Sequence, residues 1–95
     1  MGEKEFTKLC KQKVVGFYKQ SRNYTPKEIY IVWCVKVLQN NKALLSTTLP
    51  DGLYFELTYD GDKKKLYFDA YKRQENHEFK VNESLLQGVI TSEIY

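Results

Sequence analysis

Ninety-five residues make one modest domain, and 42% hydrophobic, 15% aromatic and 28% charged residues place the chain among globular proteins, not disordered ones. The formal net charge of +3 falls short of a dedicated nucleic-acid binder, and the length excludes a multidomain enzyme or a fold of two wound halves. Seven bases and three acids in residues 1–28 give that segment +4, while residues 29–60 and 61–95 sit near neutrality. The basic excess therefore belongs to the first element.

That element runs from Glu3 to about Gln20. Phe6, Leu9, Cys10, Val14, Phe17 and Tyr18 fall at helical spacing, with lysines mostly off the stripe. Glu3 and Glu5 in the first turn and Lys19 near the end suit the helix dipole. Gly16 weakens the helix, and its position suggests close packing.

After the loop Ser21–Tyr24, the run Thr25-Pro26-Lys27-Glu28 has the form of a capping box with proline at the first helical position. The residues that follow, IYIVWCVKVLQNN, are rich in β-branched side chains, so a buried strand competes. The capping box and an Asn40-Asn41 stop favour a second helix. Such a helix packs antiparallel to the first, bringing Cys10 and Cys34 near one another. Oxidation would then join them in a disulfide.

From Ala43 the period becomes two. Leu45, Thr47 and Leu49 alternate before Pro50-Asp51-Gly52, and Leu53, Phe55, Leu57 and Tyr59 alternate after it. A three-residue loop with left-handed Gly52 pairs Leu49 with Leu53, Thr47 with Phe55 and Leu45 with Leu57. A two- or four-residue loop centred between Gly61 and Asp62 then pairs Leu57 with Leu66, Phe55 with Phe68 and Leu53 with Ala70. The expected fold is α+β: an N-terminal antiparallel helix pair, then a three-stranded antiparallel meander with one helix on its apolar face. Residues 1–76 form this domain. Residues 77–95 form an extension in which Phe79 and Val81 could make a short strand and Asn82 or Ser84 could cap a brief helix.

This alternation turns Tyr54, Glu56, Thr58, Lys65, Tyr67, Asp69 and Tyr71 away from the apolar face. Tyrosines there suit either cross-strand stabilisation or contact with a partner. Tyr54, Tyr67 and Tyr71, with the Asn40-Asn41 corner, are the candidate protein-binding residues. Lys63, Lys64 and Lys65, with Lys72 and Arg73, interleave base with aromatic and, together with the basic first helix, are candidates for weak nucleic-acid contact. Asp60, Asp62, Glu56 and Asp69 on the same strands would repel phosphate.

No nucleophile elbow, phosphate-binding glycine loop or zinc motif occurs, and His77 is the only histidine. The expectation is a non-enzymatic protein without cofactor or metal. A charged N-terminus and an apolar run no longer than Ile29–Val35 point to a cytoplasmic location.

Leu38-Gln39-Asn40-Asn41-Lys42, Ser46–Gly52, the Tyr59–Lys64 turn and Asp69-Ala70-Tyr71-Lys72 resemble a family of small proteins of unknown function encoded by phages and prophages of Gram-positive bacteria. FTKLCKQKVV near the N-terminus is similar more loosely, and the family core stops near Glu75-Asn76. The resemblance implies a viral accessory protein in the bacterial cytoplasm and transfers no catalytic residue. Its implied partners are a host or phage protein, with a homodimer or weak nucleic-acid binding as further possibilities, and no membrane.

Overall fold

The computed structural model describes residues 1–84, in which the helix α1 (Glu3–Ser21) precedes four strands, β1 (Ile29–Val37), β2 (Asn40–Thr47), β3 (Leu53–Asp60) and β4 (Lys65–Lys72). The strands form one antiparallel sheet in the order β1-β2-β3-β4. The class is α+β, but the expected helix pair with a three-stranded meander is wrong. Residues 29–37 are the fourth strand.

The reason lies in local chemistry. Pro26 is buried and residues 24–28 are not helical, so Thr25 opens no helix. Ile29, Tyr30, Ile31, Val32, Trp33 and Val35 favour extended backbone. A two-residue turn, Leu38-Gln39, then closes β1 onto β2, pairing Val37 with Asn40. Leu38 takes a positive φ of 57° there, a place usually held by glycine, while remaining 83% exposed. Apolar residues on every side of this segment reflect a strand with one half-covered face and one open apolar face.

α1 buries Phe6, Cys10, Val14 and Tyr18, each four residues apart, against Ala43, Leu45, Leu53, Phe55 and Leu57. Its N-terminal end lies over the start of β2, where buried Asn41 donates from Nδ2 to the Met1 carbonyl at 3.1 Å. Its C-terminal end is held by the Tyr18 hydroxyl, which donates to Asp51 at 2.6 Å. The helix rests on β1 and β2. Beside it a groove of about 580 Å³ opens between Gln12, Lys13, Gly16, Phe17 and Gln20 on one side and Leu66 and Phe68 of β4 on the other. Nothing lies within 4 Å of where a Gly16 side chain would begin, so close packing does not explain that glycine.

Both hairpins differ from the expected register by two residues. Leu45 pairs with Phe55 and Ala43 with Leu57; Phe55 pairs with Ala70 and Leu57 with Phe68. The β2–β3 loop is longer because Thr47 Oγ1 accepts from the Leu49 amide and Asp51 Oδ1 from the Leu53 amide. Leu49 thereby turns onto the core instead of pairing. Gly52 does adopt the left-handed conformation, with φ 69°. In the β3–β4 turn, Asp60 Oδ1 accepts from the amides of Asp62 and Lys63, making a four-residue loop centred one position later than expected. An even slip preserves the side of every residue.

The two hairpin tips meet at one end of the sheet. Gln39 Nε2 donates to Asp62 at 2.7 Å, and the Gly61 amide donates to Asn40 Oδ1 at 3.0 Å. A side chain at Gly61 would overlap the Gln39 carbonyl and come within 2.8 Å of its Cβ. Residues 73–82 form no strand, and Phe79 and Val81 are 82% and 68% exposed. A helix begins at Glu83 after Asn82, whose side chain accepts from the Ser84 amide. The expected continuation through Leu85-Leu86 lies outside the described residues.

Cys10 and Cys34 are free thiols on the inner side, Cys34 reaching there from β1 instead of from a second helix. Burial, then the nearby Cys34 thiol, push Cys10 up to about 12; burial followed by the Asp51 hydrogen bond does the same for Tyr18, also to about 12. Two predictions follow from this packing. Gly16→Ala raises stability in urea titration by up to about 1 kcal/mol, whereas Gly61→Ala lowers it by about 1–3 kcal/mol because backbone must move. Stability is also pH-dependent in one direction. Above pH 9 the unfolded chain releases the Cys10 and Tyr18 protons that the folded chain retains, so stability present in full below pH 9 declines as pH rises toward 12. Urea midpoints at pH 7, 9.5 and 10.5 read this decline, and Cys10→Ala removes its earlier part.

Candidate functional site

Strand registers order the sheet's outer face, the one turned from α1, into three rows. The first runs Tyr30, Ser46, Tyr54, Tyr71 across all four strands; the second Trp33, Leu44, Glu56, Asp69; the third Val35, Lys42, Thr58, Tyr67. Val32 is the extra residue of a bulge between Ile31 and Trp33, which shifts the inward phase from Ile31 to Cys34. Without it, Trp33 would share Ile31's inner side.

Tyr30, Trp33, Val35, Tyr67 and Tyr71 are each 41–53% exposed on this face. A five-member apolar and aromatic surface outside the core exceeds what sheet pairing needs. The charges lie mostly among the rings. Glu56 and Asp69 face each other directly across β3 and β4, a like-charge pair that costs stability. Lys42 relieves Glu56 through an ion pair at 3.6 Å. Arg73 lies over the Tyr54 ring at 5.7 Å and donates its backbone N–H to the Gly52 carbonyl. Rings here can therefore accept a guanidinium face.

Of the expected contact residues, Tyr54, Tyr67 and Tyr71 share this surface, with Tyr54 and Tyr71 directly paired. Asn40 and Asn41 do not join them. Asn40 accepts the Gly61 amide at the hairpin junction, and Asn41 is 1% exposed beneath α1. Neither ends a helix. The basic candidates are divided too: Lys63, Lys64 and Lys65 lie at one end of β4, and Lys72 and Arg73 at the other. Eight residues of strand separate them by roughly 23 Å or more.

Tyr30, Trp33 and Val35 are the members that sequence reasoning missed. Their signal was the β-branched and aromatic composition of residues 29–35, which a helical reading set aside. His77 stands 3.4 Å from Glu75 in an exposed segment. Among the described residues, no cluster of three or more His, Cys, Asp or Glu could hold a metal ion, and no helix is long and apolar enough to cross a membrane.

These features define a two-layer α+β protein, with a helix on one side of its sheet and an aromatic face on the other. Residues 7–81 match the family of unknown function DUF6275, and the chain belongs to that family. The match continues to Val81, beyond the Asn76 boundary expected for its core. No curated protein and no solved structure matches the chain.

The charge arrangement predicts opposite effects of two surface changes. Asp69→Asn removes the repulsion at Glu56 and raises stability by about 0.2–1 kcal/mol, whereas Lys42→Met lowers it by a similar amount. Thermal unfolding at low and at about 0.5 M salt checks both, since screening shrinks each difference.

Proposed function

We propose that this is a non-enzymatic protein-binding adaptor or inhibitor, an accessory protein of phages or prophages of Gram-positive bacteria that acts in the host cytoplasm. The outer sheet face is its contact surface. The single observation behind this reading is the convergence of Tyr30, Trp33, Val35, Tyr54, Tyr67 and Tyr71 on one side of the sheet while α1 packs on the other. Tyr and Trp offer large, stiff area with a polar tip, and ordering them on binding costs little entropy. A sheet adds rigidity, so contacts at its centre lose little freedom.

The viral setting rests on the resemblance of the Leu38–Lys42 and Tyr59–Lys64 segments. They lie far apart in sequence yet meet as the joined hairpin tips. That junction fixes the far end of the face. The alternative use, weak nucleic-acid binding, draws less support because its bases lie at opposite ends of β4 and acids occupy the centre.

Affinity capture with the full chain from a Gram-positive host lysate tests the reading. Wild type should retain one protein in stoichiometric amount. Trp33→Ser, and Tyr54, Tyr67 and Tyr71 changed together to Ala, should each lose it while keeping a cooperative unfolding transition. Capture unchanged by these variants, or no stoichiometric partner, would sink the idea.

A further inference from the structure

The outer face also carries a pattern that addresses what covers it when no unlike partner is bound. Resting on the reading above, we propose that a second copy of this chain closes it, the two sheets stacked about a twofold axis parallel to the strands. Such an axis places β1 over the partner's β4 and β2 over the partner's β3, leaving each row at its own height.

The rows then meet in complementary fashion. In the first, Tyr30 lies over the partner's Tyr71, while Ser46 and Tyr54 are engaged within the chain, Ser46 buried with its hydroxyl donated to the Leu53 carbonyl and Tyr54 beneath Arg73. In the second, Trp33 brings an indole N–H toward the carboxylate of the partner's Asp69. In the third, Val35 covers the partner's Tyr67, and Lys42 lies one row from the partner's Glu56.

Charge decides between this arrangement and the other twofold available to stacked sheets. An axis across the strands would lay Glu56 over the partner's Glu56 and Asp69 over the partner's Asp69, which is repulsive. The axis along the strands sets cation toward anion. Four strands at about 4.8 Å spacing and three rows of residues give a face of about 400–500 Å² per copy. That totals about 800–1,000 Å², the range of weak, reversible contacts. The homodimer is thus a displaceable cover, and an unlike partner with a larger footprint competes for the same rings.

Sedimentation equilibrium of the full chain from about 5 to about 500 µM tests this. The expected weight-average mass rises from 11.3 kDa toward twice that value. Trp33→Ser and Tyr71→Ser should each weaken association at least about fivefold, and Lys42→Glu should weaken it as well. Combining Lys42→Glu with Glu56→Lys should restore it, because the swap rebuilds the pairing within and between copies. A mass of 11.3 kDa throughout, or a dimer indifferent to all these changes, overturns the inference. Monomeric protein that still shows face-dependent capture removes only the homodimer; a face-dependent dimer without any unlike partner removes only the adaptor reading.

Discussion

Burial of Phe6, Cys10, Val14 and Tyr18 against the sheet is the constraint on which the rest of the structure depends. Four side chains one helical turn apart form a continuous apolar ridge. The strands must present Ala43, Leu45, Leu53, Phe55 and Leu57 to it. Side chains on a strand alternate, so this choice also decides what faces away. The tyrosine and tryptophan surface is the complement of the core.

Two devices hold that arrangement at its ends. Near the C-terminus of α1, Asp51 accepts from the Tyr18 hydroxyl and from the Leu53 amide, tying helix, loop and β3 together. At the other end, Gln39 with Asp62 and Asn40 with Gly61 join the hairpin tips. Gly61 is required there by space alone, since a Cβ would collide with Gln39. Asn40 and Asn41 thus serve the scaffold, each through a different bond. The sheet between these anchors is a firm platform for contact residues, and firmness is what makes exposed rings effective in binding.

The outer face mixes attraction with deliberate cost. Glu56 opposite Asp69 is a pairing that stability alone would not select. Lys42 offsets one carboxylate, and Asp69 stands exposed on β4 between Tyr67 and Tyr71. Charges set among aromatic side chains contribute more to orientation and partner choice than to affinity. The family has no assigned function, so the physical organisation of this face carries the functional reading.

α1 was legible because its apolar residues recur at one turn's spacing and its first turn is acidic. β3 and β4 were legible because alternation and turn residues are local signals, and the two-residue slips in pairing left every inward residue inward. Residues 29–37 were not legible. Thr25-Pro26-Lys27-Glu28 satisfies a helix start locally, but β2 would lack one neighbour without β1, and that demand is nonlocal. With that strand went Tyr30, Trp33 and Val35, so half of the candidate surface was invisible to alternation alone. The sequence by itself determined the α1 stripe, the inward parity of β3 and β4, and the outward tyrosines, because each depends on neighbours a few residues away. Tertiary structure decided that β1 is a strand, where the hairpins pair, and that both asparagines brace the scaffold. Those outcomes depend on hydrogen bonds and burial between segments that meet only after folding.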